Sequence, residues 1–408
     1  MNIDFMRKVD YFAGIPLCFL ATWLTRLLGW FRSSSSPTPP RRVLFIELSE
    51  MGSAILADPA MRKMQSVSGE APYFLIFAAN AASLRLLGTV PPARVFTIRA
   101  QGFLTLAVDT LRFLRWARRQ GIDTAIDLEL FSRYSALLTG LCGASRRVGF
   151  HAFHNEGLYR GAMLTHRVAY NPHQHIAKNF VALVNAALAA KAELPFSKTM
   201  VGNEEIRLAQ AAVAETALVA MRDKIRAAYP DYDPARQRIV LINPNASDLL
   251  PQRRWLPERF VAVMRALLAE YADVLILITG APTERAGAAA LRQQVGDARC
   301  VNFAGCHALD ELPALYRLAT LMLTNDSGPG HFSAVTALRT FVLFGPETPA
   351  LYGSLGNSTP IYAGLACSPC VSASNHRKTA CRDNVCLQTI GVDTVLAQLH
   401  PVLRGDAA

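Results

Sequence analysis

From Arg42 onward, short apolar runs rich in β-forming residues alternate with longer stretches of helical periodicity, in two successive series. This alternation is typical of parallel β-sheets whose strands are connected by crossover helices. The first series predicts strands at Val43–Leu48, Tyr73–Ala78, Arg94–Ile98, Thr124–Leu128 and Arg146–Phe150. The second series predicts strands at Arg238–Ile242, Val274–Thr279, Leu321–Thr324 and Thr340–Phe344. We therefore expect an α/β chain with two parallel-sheet domains.

The two series set the expected domain boundaries. We assign residues 42–200 to a first domain, 201–236 to a helical connection and 237–408 to a second domain. With 408 residues, 51% of them hydrophobic, the chain has enough material for two separate cores. Ligands of open α/β sheets bind beyond the carboxyl ends of the strands, so a site is expected in the turns there.

The segment before the first strand, within residues 1–32, is strongly apolar and rich in aromatic residues from Tyr11 to Phe31. Its uninterrupted apolar part, Tyr11–Thr25, is shorter than the ~20 residues that a spanning helix needs, and it contains Pro16. We expect an interfacial or half-inserted membrane helix, followed by a Ser/Pro linker at residues 33–41. A signal peptide and a helix packed on the protein's own surface are the alternatives.

The chain is basic, with 42 Lys and Arg residues against 31 Asp and Glu residues, which favours partners that carry phosphate. Its arginines are scattered through helix-like stretches, as at Arg112, Arg115, Arg118 and Arg119, a pattern typical of a solvated helix face. The sequence has no basic run with interleaved aromatic residues and no recognisable nucleic-acid-binding module. We therefore expect no nucleic-acid partner.

The strongest chemical signal follows the predicted strand Leu321–Thr324, where a turn of small residues opens a helical pattern. Backbone N–H groups of such a turn hold anions, and Asp326 and His331 flank it. On its own, Asp326 would more simply be a helix N-cap.

With the residues that follow it, this turn resembles the C-terminal signature of family 9 glycosyltransferases, D-[ST]-G-P-x-H-x-x-A followed by F-G-P-T-x-P. The matching residues are Asp326, Ser327, Gly328, Pro329, His331 and Ala334, then Phe344, Gly345, Pro346, Glu347, Thr348 and Pro349. Further segments, Asn243–Ser247, Arg253–Phe260 and the turn at Thr279-Gly280, resemble the family's P-G-A-S…K-R-W-P-x-x-x-F and G-G-P-x-E motifs.

The resemblance implies a GT-B fold, in which two Rossmann-like domains face each other and the second binds a nucleotide sugar. Ser247 and either Arg253 or Arg254 would contact the donor diphosphate, and the donor site would also include Thr279, Gly280, Asp326, Ser327, Gly328, Pro329 and His331. The implied reaction is an inverting transfer that requires no metal. In it an acceptor hydroxyl attacks the anomeric carbon and a carboxylate takes its proton.

The resemblance departs from the family pattern at the catalytic base. The family usually has L-G-D or M-G-D after the first strand, whereas this chain reads Met-Gly-Ser, with Ser53 at the Asp position. Serine is too weak a base to replace a carboxylate, so Glu50 is the first candidate, ahead of Glu47 in the strand and Asp58 within the helix. Alternatively, Glu50 is a solvated loop residue and the chain is a catalytically silent, membrane-tethered nucleotide-sugar-binding protein.

Four of the eight cysteines lie within residues 367–386, at Cys367, Cys370, Cys381 and Cys386. Thiolates on short loops suit a tetrahedral structural zinc site, although this spacing is not that of a standard zinc ribbon. Reduced structural thiols are the alternative.

The family's best-known substrates imply a donor of the ADP-heptose type and a lipopolysaccharide-type or other lipid-linked glycan acceptor. The thiols, the N-terminal segment and the nucleotide donor favour a peripheral or monotopic protein at the cytoplasmic face of a bacterial inner membrane. A Rossmann oxidoreductase is disfavoured, because no G-x-G-x-x-G follows a predicted strand.

Overall fold

Two six-stranded parallel sheets form the frame of the computed structural model, which describes residues 3–30, 39–130, 132–153, 158–372 and 378–406. The chain divides into a first domain, residues 1–207, and a second domain, residues 208–408. The boundary falls inside the stretch 201–236 that the sequence assigned to a helical connection.

The sheet of the first domain has the strand order β3-β2-β1-β4-β5-β6. Its strands are β1 (Val43–Ile46), β2 (Tyr73–Phe77), β3 (Val95–Ile98), β4 (Thr124–Asp127), β5 (Arg146–Phe150) and β6 (His166–Val168). Its helices are α1 (Ile3–Phe12), α2 (Gly14–Trp30), α3 (Met51–Leu56), α4 (Asp58–Ser68), α5 (Phe103–Arg119), α6 (Arg133–Leu141) and α7 (Ile176–Leu188).

The sheet of the second domain has the order β12-β11-β10-β7-β8-β9, which repeats the topology of the first. Its strands are β7 (Arg238–Asn243), β8 (Val274–Ile278), β9 (Cys300–Asn302), β10 (Ala319–Asn325), β11 (Arg339–Phe344) and β12 (Ser358–Tyr362). Its helices are α8 (Glu215–Ala228), α9 (Pro257–Glu270), α10 (Arg285–Val295), α11 (Leu312–Leu318), α12 (Gly328–Ser333), α13 (Pro349–Tyr352), α14 (Val385–Gln388) and α15 (Val392–Arg404).

Every strand predicted from the sequence is present, and the prediction of two parallel-sheet, Rossmann-like domains is confirmed. The strands β1 and β8 are apolar and buried along their whole length, because helices cover both faces of a parallel sheet. The strands that the sequence missed, β6, β9 and β12, are edge strands; two are three residues long, and β12 contains Pro360.

The predicted helical connection, residues 201–236, is only partly helical. Glu204–Ile206 forms one 3-10 turn, and α8 begins at Glu215. Between them, the backbone N–H of Ala211 bonds the carbonyl of Val335, which holds this segment extended against the second domain.

The N-terminal segment forms two helices that meet at Ala13, where the sequence suggested a single one. In the described part of the chain, no helix is long and apolar enough to cross a membrane. Residues 33–38 of the predicted Ser/Pro linker lie outside the described residues.

Trp255 fixes the turn after β7 to the rest of the second domain. Its side chain is 1% exposed, and its Nε1 donates a hydrogen bond to the carbonyl of Ile390 at 3.0 Å. We expect Trp255→Ala to lower the free energy of unfolding of this domain by about 3–5 kcal/mol, because the substitution leaves a cavity. Urea denaturation followed by circular dichroism measures the loss. The exposed Leu249→Ala should change stability by less than about 0.5 kcal/mol, and equal losses in both variants would contradict the packing described here.

Candidate active site

The turn between β1 and α3 carries the predicted base. Glu50 is the N-cap residue of α3 and is half-buried. Ser53 lies at the third helical position, and its Oγ donates a hydrogen bond to Glu50 Oε2 at 3.0 Å. The Glu50 carboxylate therefore lies one hydrogen bond away from Ser53, the residue at which the sequence analysis expected the family's Asp.

Glu129, which the sequence analysis missed, holds this turn from the next strand. Its Oε1 accepts hydrogen bonds from the backbone N–H of Leu48 at 2.9 Å, the N–H of Ser49 at 3.1 Å and the Ser49 hydroxyl at 2.9 Å. Burial raises the pKa of the Glu129 carboxyl above its ordinary value, and the Asp127 and Glu50 carboxylates raise it further, against the hydrogen bonds. Glu129 directly follows the predicted strand Thr124–Leu128. Because ligands of open α/β sheets bind beyond the carboxyl ends of strands, the sequence indicated its position.

The two weaker candidates for the base are buried. Glu47 is 4% exposed, and its backbone N–H bonds the carbonyl of Leu75. Asp58 is fully buried, forms an ion pair with Arg62 at 2.8 Å and accepts a hydrogen bond from the Thr89 hydroxyl. Asp58 therefore stabilises the start of α4 and the segment that contacts it.

A buried ion pair supports the carboxyl end of β4. Arg160 contacts the Asp127 carboxylate and donates to the carbonyls of Glu129 and Ser132, each at 2.9 Å. Asp127 Oδ1 also accepts the N–H of Glu129 at 3.1 Å. Neither residue was singled out from the sequence, where each resembles an ordinary strand or loop residue.

In the second domain, asparagines at two neighbouring strand ends hold the turn that follows β7. Asn325 accepts the N–H of Trp255 at 3.1 Å and donates to the carbonyl of Pro244 at 2.8 Å. The Asn243 amide donates to Thr279 Oγ1 at 3.1 Å, which ties the end of β7 to the end of β8. These contacts fix the backbone on both sides of the segment that carries Arg253.

Arg253 lies between two buried carboxylates. Its Nε is 3.5 Å from Asp326 Oδ2, and its Nη2 contacts Glu347. The side chains of Arg253, Asp326 and Glu347 are 14%, 5% and 2% exposed. The structure thus brings together two of the predicted donor-site residues and adds Glu347, which the sequence analysis named in the F-G-P-T-x-P segment but gave no role.

Arg254, the other arginine that the resemblance suggested for the diphosphate, bonds residues of the turn in which it lies. Its guanidinium donates to the carbonyl of Ala246 at 2.6 Å and contacts the exposed Asp248. Ser247 is exposed, and its Oγ accepts the N–H of Leu249 at 3.3 Å. Of the two arginines, Arg253 is therefore the one that lies against Asp326.

The remaining predicted donor residues lie at the ends of β8 and β10. Thr279 is buried between strands, and a Cβ at Gly280 would lie 2.8 Å from Asn245 Nδ2, so a larger residue here would displace that side chain. After β10, Ser327 is the N-cap of α12, which begins with Gly328 and Pro329 and includes the half-buried His331. The predicted strand-turn-helix is present, but α12 spans only six residues.

The cysteine segment packs against the turn that carries Arg253. The amide of Gln252 donates to the carbonyl of Cys381 at 2.9 Å, and Asn384 donates to the carbonyls of Gln252 and Arg254. Burial raises the pKa of the Cys386 thiol, which the proximity of the three other cysteines raises further. Among the residues that the structure describes, which exclude 373–377, no group of three His, Cys, Asp or Glu side chains is arranged to hold a metal ion.

Comparison with known proteins gives one match to a protein family and several to solved structures. The model of glycosyltransferase family 9 (heptosyltransferase) matches residues 110–380. Lipooligosaccharide heptosyltransferase 2 of Campylobacter jejuni is 30% identical over 86 residues, which are 21% of this chain and 26% of that protein. The match thus spans about a quarter of that relative's length.

Solved structures resemble nearly the whole chain. Heptosyltransferase II of E. coli superposes with a TM-score of 0.69 at 17% identity, covering 90% of this chain and all of that one. A family 9 glycosyltransferase of Veillonella parvula superposes with a TM-score of 0.68 at 15% identity, covering 91% of this chain and all of that one. The E. coli heptosyltransferase WaaC with ADP superposes with a TM-score of 0.60 at 16% identity. The match covers 88% of this chain and 99% of that one.

At these identities, the structural likeness shows the fold alone, which is of the GT-B type. The family model is independent of that likeness and covers the strand ends at which Glu129, Arg253, Asp326 and Glu347 lie. On these grounds the chain belongs to glycosyltransferase family 9, a family of transferase enzymes.

Proposed function

We propose that this chain transfers a heptose or a related sugar, with inversion, from a nucleotide-sugar donor to a lipopolysaccharide-type or other membrane-associated glycan. The observation that carries this proposal is the hydrogen bond from Ser53 Oγ to Glu50 Oε2 at 3.0 Å. It supplies a carboxylate beside the one motif position at which this chain lacks the base expected from the family.

In the proposed reaction, an acceptor hydroxyl attacks the anomeric carbon of the donor and Glu50 takes the hydroxyl proton. The new glycosidic bond forms as the bond between that carbon and the diphosphate oxygen breaks. Glu129 acts as a positioning residue, because its three hydrogen bonds fix the backbone directly before Glu50. No step of this reaction requires a metal ion.

We assign direct contact with the donor diphosphate to Arg253. A guanidinium matches phosphate oxygens in geometry and would stabilise the charge that develops on the departing diphosphate. Arg254 and Thr279 instead hold the turn, because their side chains already bond its backbone or its neighbouring strand. Ser247, Gly280 and the turn from Asp326 to His331 complete the proposed donor site.

A donor of the ADP-heptose type is supported by the E. coli heptosyltransferase structures, which contain ADP and ADP-2-deoxy-2-fluoro heptose. A lipopolysaccharide-type acceptor is supported by the name of the Campylobacter relative, a lipooligosaccharide heptosyltransferase. We propose that the protein acts at the cytoplasmic face of a bacterial inner membrane, where nucleotide sugars and lipid-linked acceptors meet.

A second candidate function is a catalytically silent protein that binds a nucleotide sugar. The observation that favours it is Ser53 itself, since the family's proposed base is absent from its usual position. The two functions predict the same donor binding and differ only in transfer.

The first test asks whether the base has moved from position 53 to position 50. Glu50→Gln should lower kcat on the order of a hundredfold or more, because it removes the proton acceptor, while leaving ADP affinity unchanged. Glu50→Gln combined with Ser53→Asp should regain at least part of the rate, since it restores the family arrangement. Donor turnover with a bacterial lipid-glycan extract gives the rates, and the exposed Glu204→Gln is the control.

Two outcomes would contradict this assignment. If the wild type binds ADP but transfers nothing across a broad acceptor panel, the silent binding protein is correct. If Glu50→Gln keeps the wild-type rate, another carboxylate is the base.

The second test concerns the charge around Arg253. We expect Glu347→Gln to tighten ADP binding by about tenfold, because Glu347 competes with the diphosphate for the guanidinium. Asp248→Asn, which removes the exposed carboxylate beside Arg254, should change the affinity little. Isothermal titration with ADP measures both, and weaker binding by Glu347→Gln would show that Arg253 does not meet the diphosphate.

The third test concerns metals. We propose that Cys367, Cys370, Cys381 and Cys386 are reduced structural thiols, because the described residues contain no group arranged to hold a metal ion, and that transfer does not depend on a metal. Excess EDTA added to the assay should leave the transfer rate unchanged. Metal analysis of protein purified under reducing conditions should find no zinc. One zinc per chain that Cys370→Ser loses would instead show that the four thiols close a structural zinc site.

A further inference from the structure

The inner face of α2 is fixed to the first domain. Cys18, Ala21 and Thr22 are buried, and Cys18 and Ala21 pack in one cluster with Met163. Thr22 Oγ1 accepts the N–H of Ala162 at 2.9 Å. α2 is therefore part of the domain surface, with one side buried and the other available.

α1 is fixed to the same place by charge. Asp10 Oδ1 accepts the N–H groups of Arg133 and Tyr134 at the start of α6, each at 3.0 Å. Asp10 also forms an ion pair with the Arg133 side chain at 3.3 Å. These contacts hold α1 against α6, and they therefore determine which side of α1 and α2 faces outward.

The outer side of the two helices is apolar and exposed. Leucines recur with helical spacing on one face of α2, and aromatic residues flank them; their exposed fractions run from 46% to 74%. These residues are Tyr11, Phe12, Leu17, Phe19, Leu20, Trp23, Leu24 and Leu27. α2 contains no acidic residue, and the guanidinium of Arg26 lies over the ring of Trp23.

This surface continues onto α5 through a contact between two exposed aromatic rings. The centroids of Phe5 and Phe103 are 5.6 Å apart. Beyond Phe103, the exposed face of α5 carries Leu104 and Leu111, which are 78% and 68% exposed. We call the apolar residues of α1, α2 and α5, together with the exposed arginines Arg26, Arg112, Arg115 and Arg119, the apolar-basic face.

The exposed charged side chains of α5 are all basic. The single acidic residue of α5, Asp109, is buried and bonds the Arg99 guanidinium at 2.8 Å and 2.9 Å. The arginines that the sequence suggested to be a solvated helix face therefore adjoin exposed leucines with no exposed carboxylate on the same helix. A basic amphipathic surface of this kind is typical of proteins that lie in a membrane interface.

We propose that the apolar-basic face docks flat onto a bilayer that contains anionic phospholipid. The apolar side chains would enter the boundary between headgroups and acyl chains, while the arginines meet lipid phosphates. A second copy of the chain fits less well, because a symmetric contact would bring the arginines of both copies together. The inference rests on the proposed function only for the location of the acceptor; the contacts that carry it lie in the first domain.

Vesicle binding by the full-length protein tests the proposal without donor or acceptor. Co-sedimentation with vesicles of phosphatidylcholine alone, or mixed with phosphatidylglycerol, should show binding that requires the anionic lipid and weakens with salt. Leu20→Gln with Trp23→Gln, and separately Arg112→Glu with Arg115→Glu, should each reduce the partition coefficient by about tenfold or more. The matched controls Met200→Gln, at an exposed apolar residue, and Lys198→Glu should bind as the wild type does.

Other outcomes would overturn the proposal. The face does not dock on membranes if the wild type ignores anionic vesicles, or if the face variants bind like the controls while circular dichroism shows them folded. A wild-type dimer that becomes monomeric in the Leu20/Trp23 variant would make the face a contact between copies. Vesicle binding by a protein with no transfer activity would refute the proposed function and leave the docking face intact.

Discussion

The turns beyond the central strands depend on one kind of contact, in which a buried polar side chain bonds the backbone of the neighbouring turn. In the first domain, Glu129 after β4 accepts the N–H groups of the turn after β1. In the second, Asn325 at the end of β10 bonds the turn after β7 on both sides. In each sheet these two strands are adjacent at the point where the strand order reverses. Backbone groups there leave the ladder, so side chains must satisfy them.

Arg160 and Arg253 lie in the loops beyond these sheets, and their hydrogen-bond partners differ. All five N–H groups of Arg160 are engaged, by Asp127, by Ser135 and by three carbonyls. Arg253 instead faces two carboxylates, Asp326 and Glu347. A charge withdrawn from water needs a partner, and these two carboxylates supply it for Arg253. They therefore hold the guanidinium in place.

The sequence predicted what depends on local pattern and missed what depends on side-chain direction. Strands buried on both faces, such as Val274–Ile278, are apolar throughout, whereas the edge strand Ser358–Tyr362 lacks that signal. The family resemblance named Asp326 and either Arg253 or Arg254 as donor-site residues. The sequence did not indicate that Glu347 contacts the Arg253 guanidinium, because that contact joins turns 94 residues apart in the chain. Glu129 was missed for the same reason, since its partners follow a different strand.

Helix geometry explains why the side chains at positions 50 and 53 lie beside each other. Glu50 and Ser53 are the N-cap and third residues of α3, the two positions whose side chains meet at the start of a helix. An acid at either position therefore reaches the same small volume from opposite sides of one turn. The hydrogen bond from Ser53 to Glu50 shows the two side chains in that relation. The N-cap residue also directly follows the backbone that Glu129 holds, so the Glu50 carboxylate lies next to the fixed part of the turn.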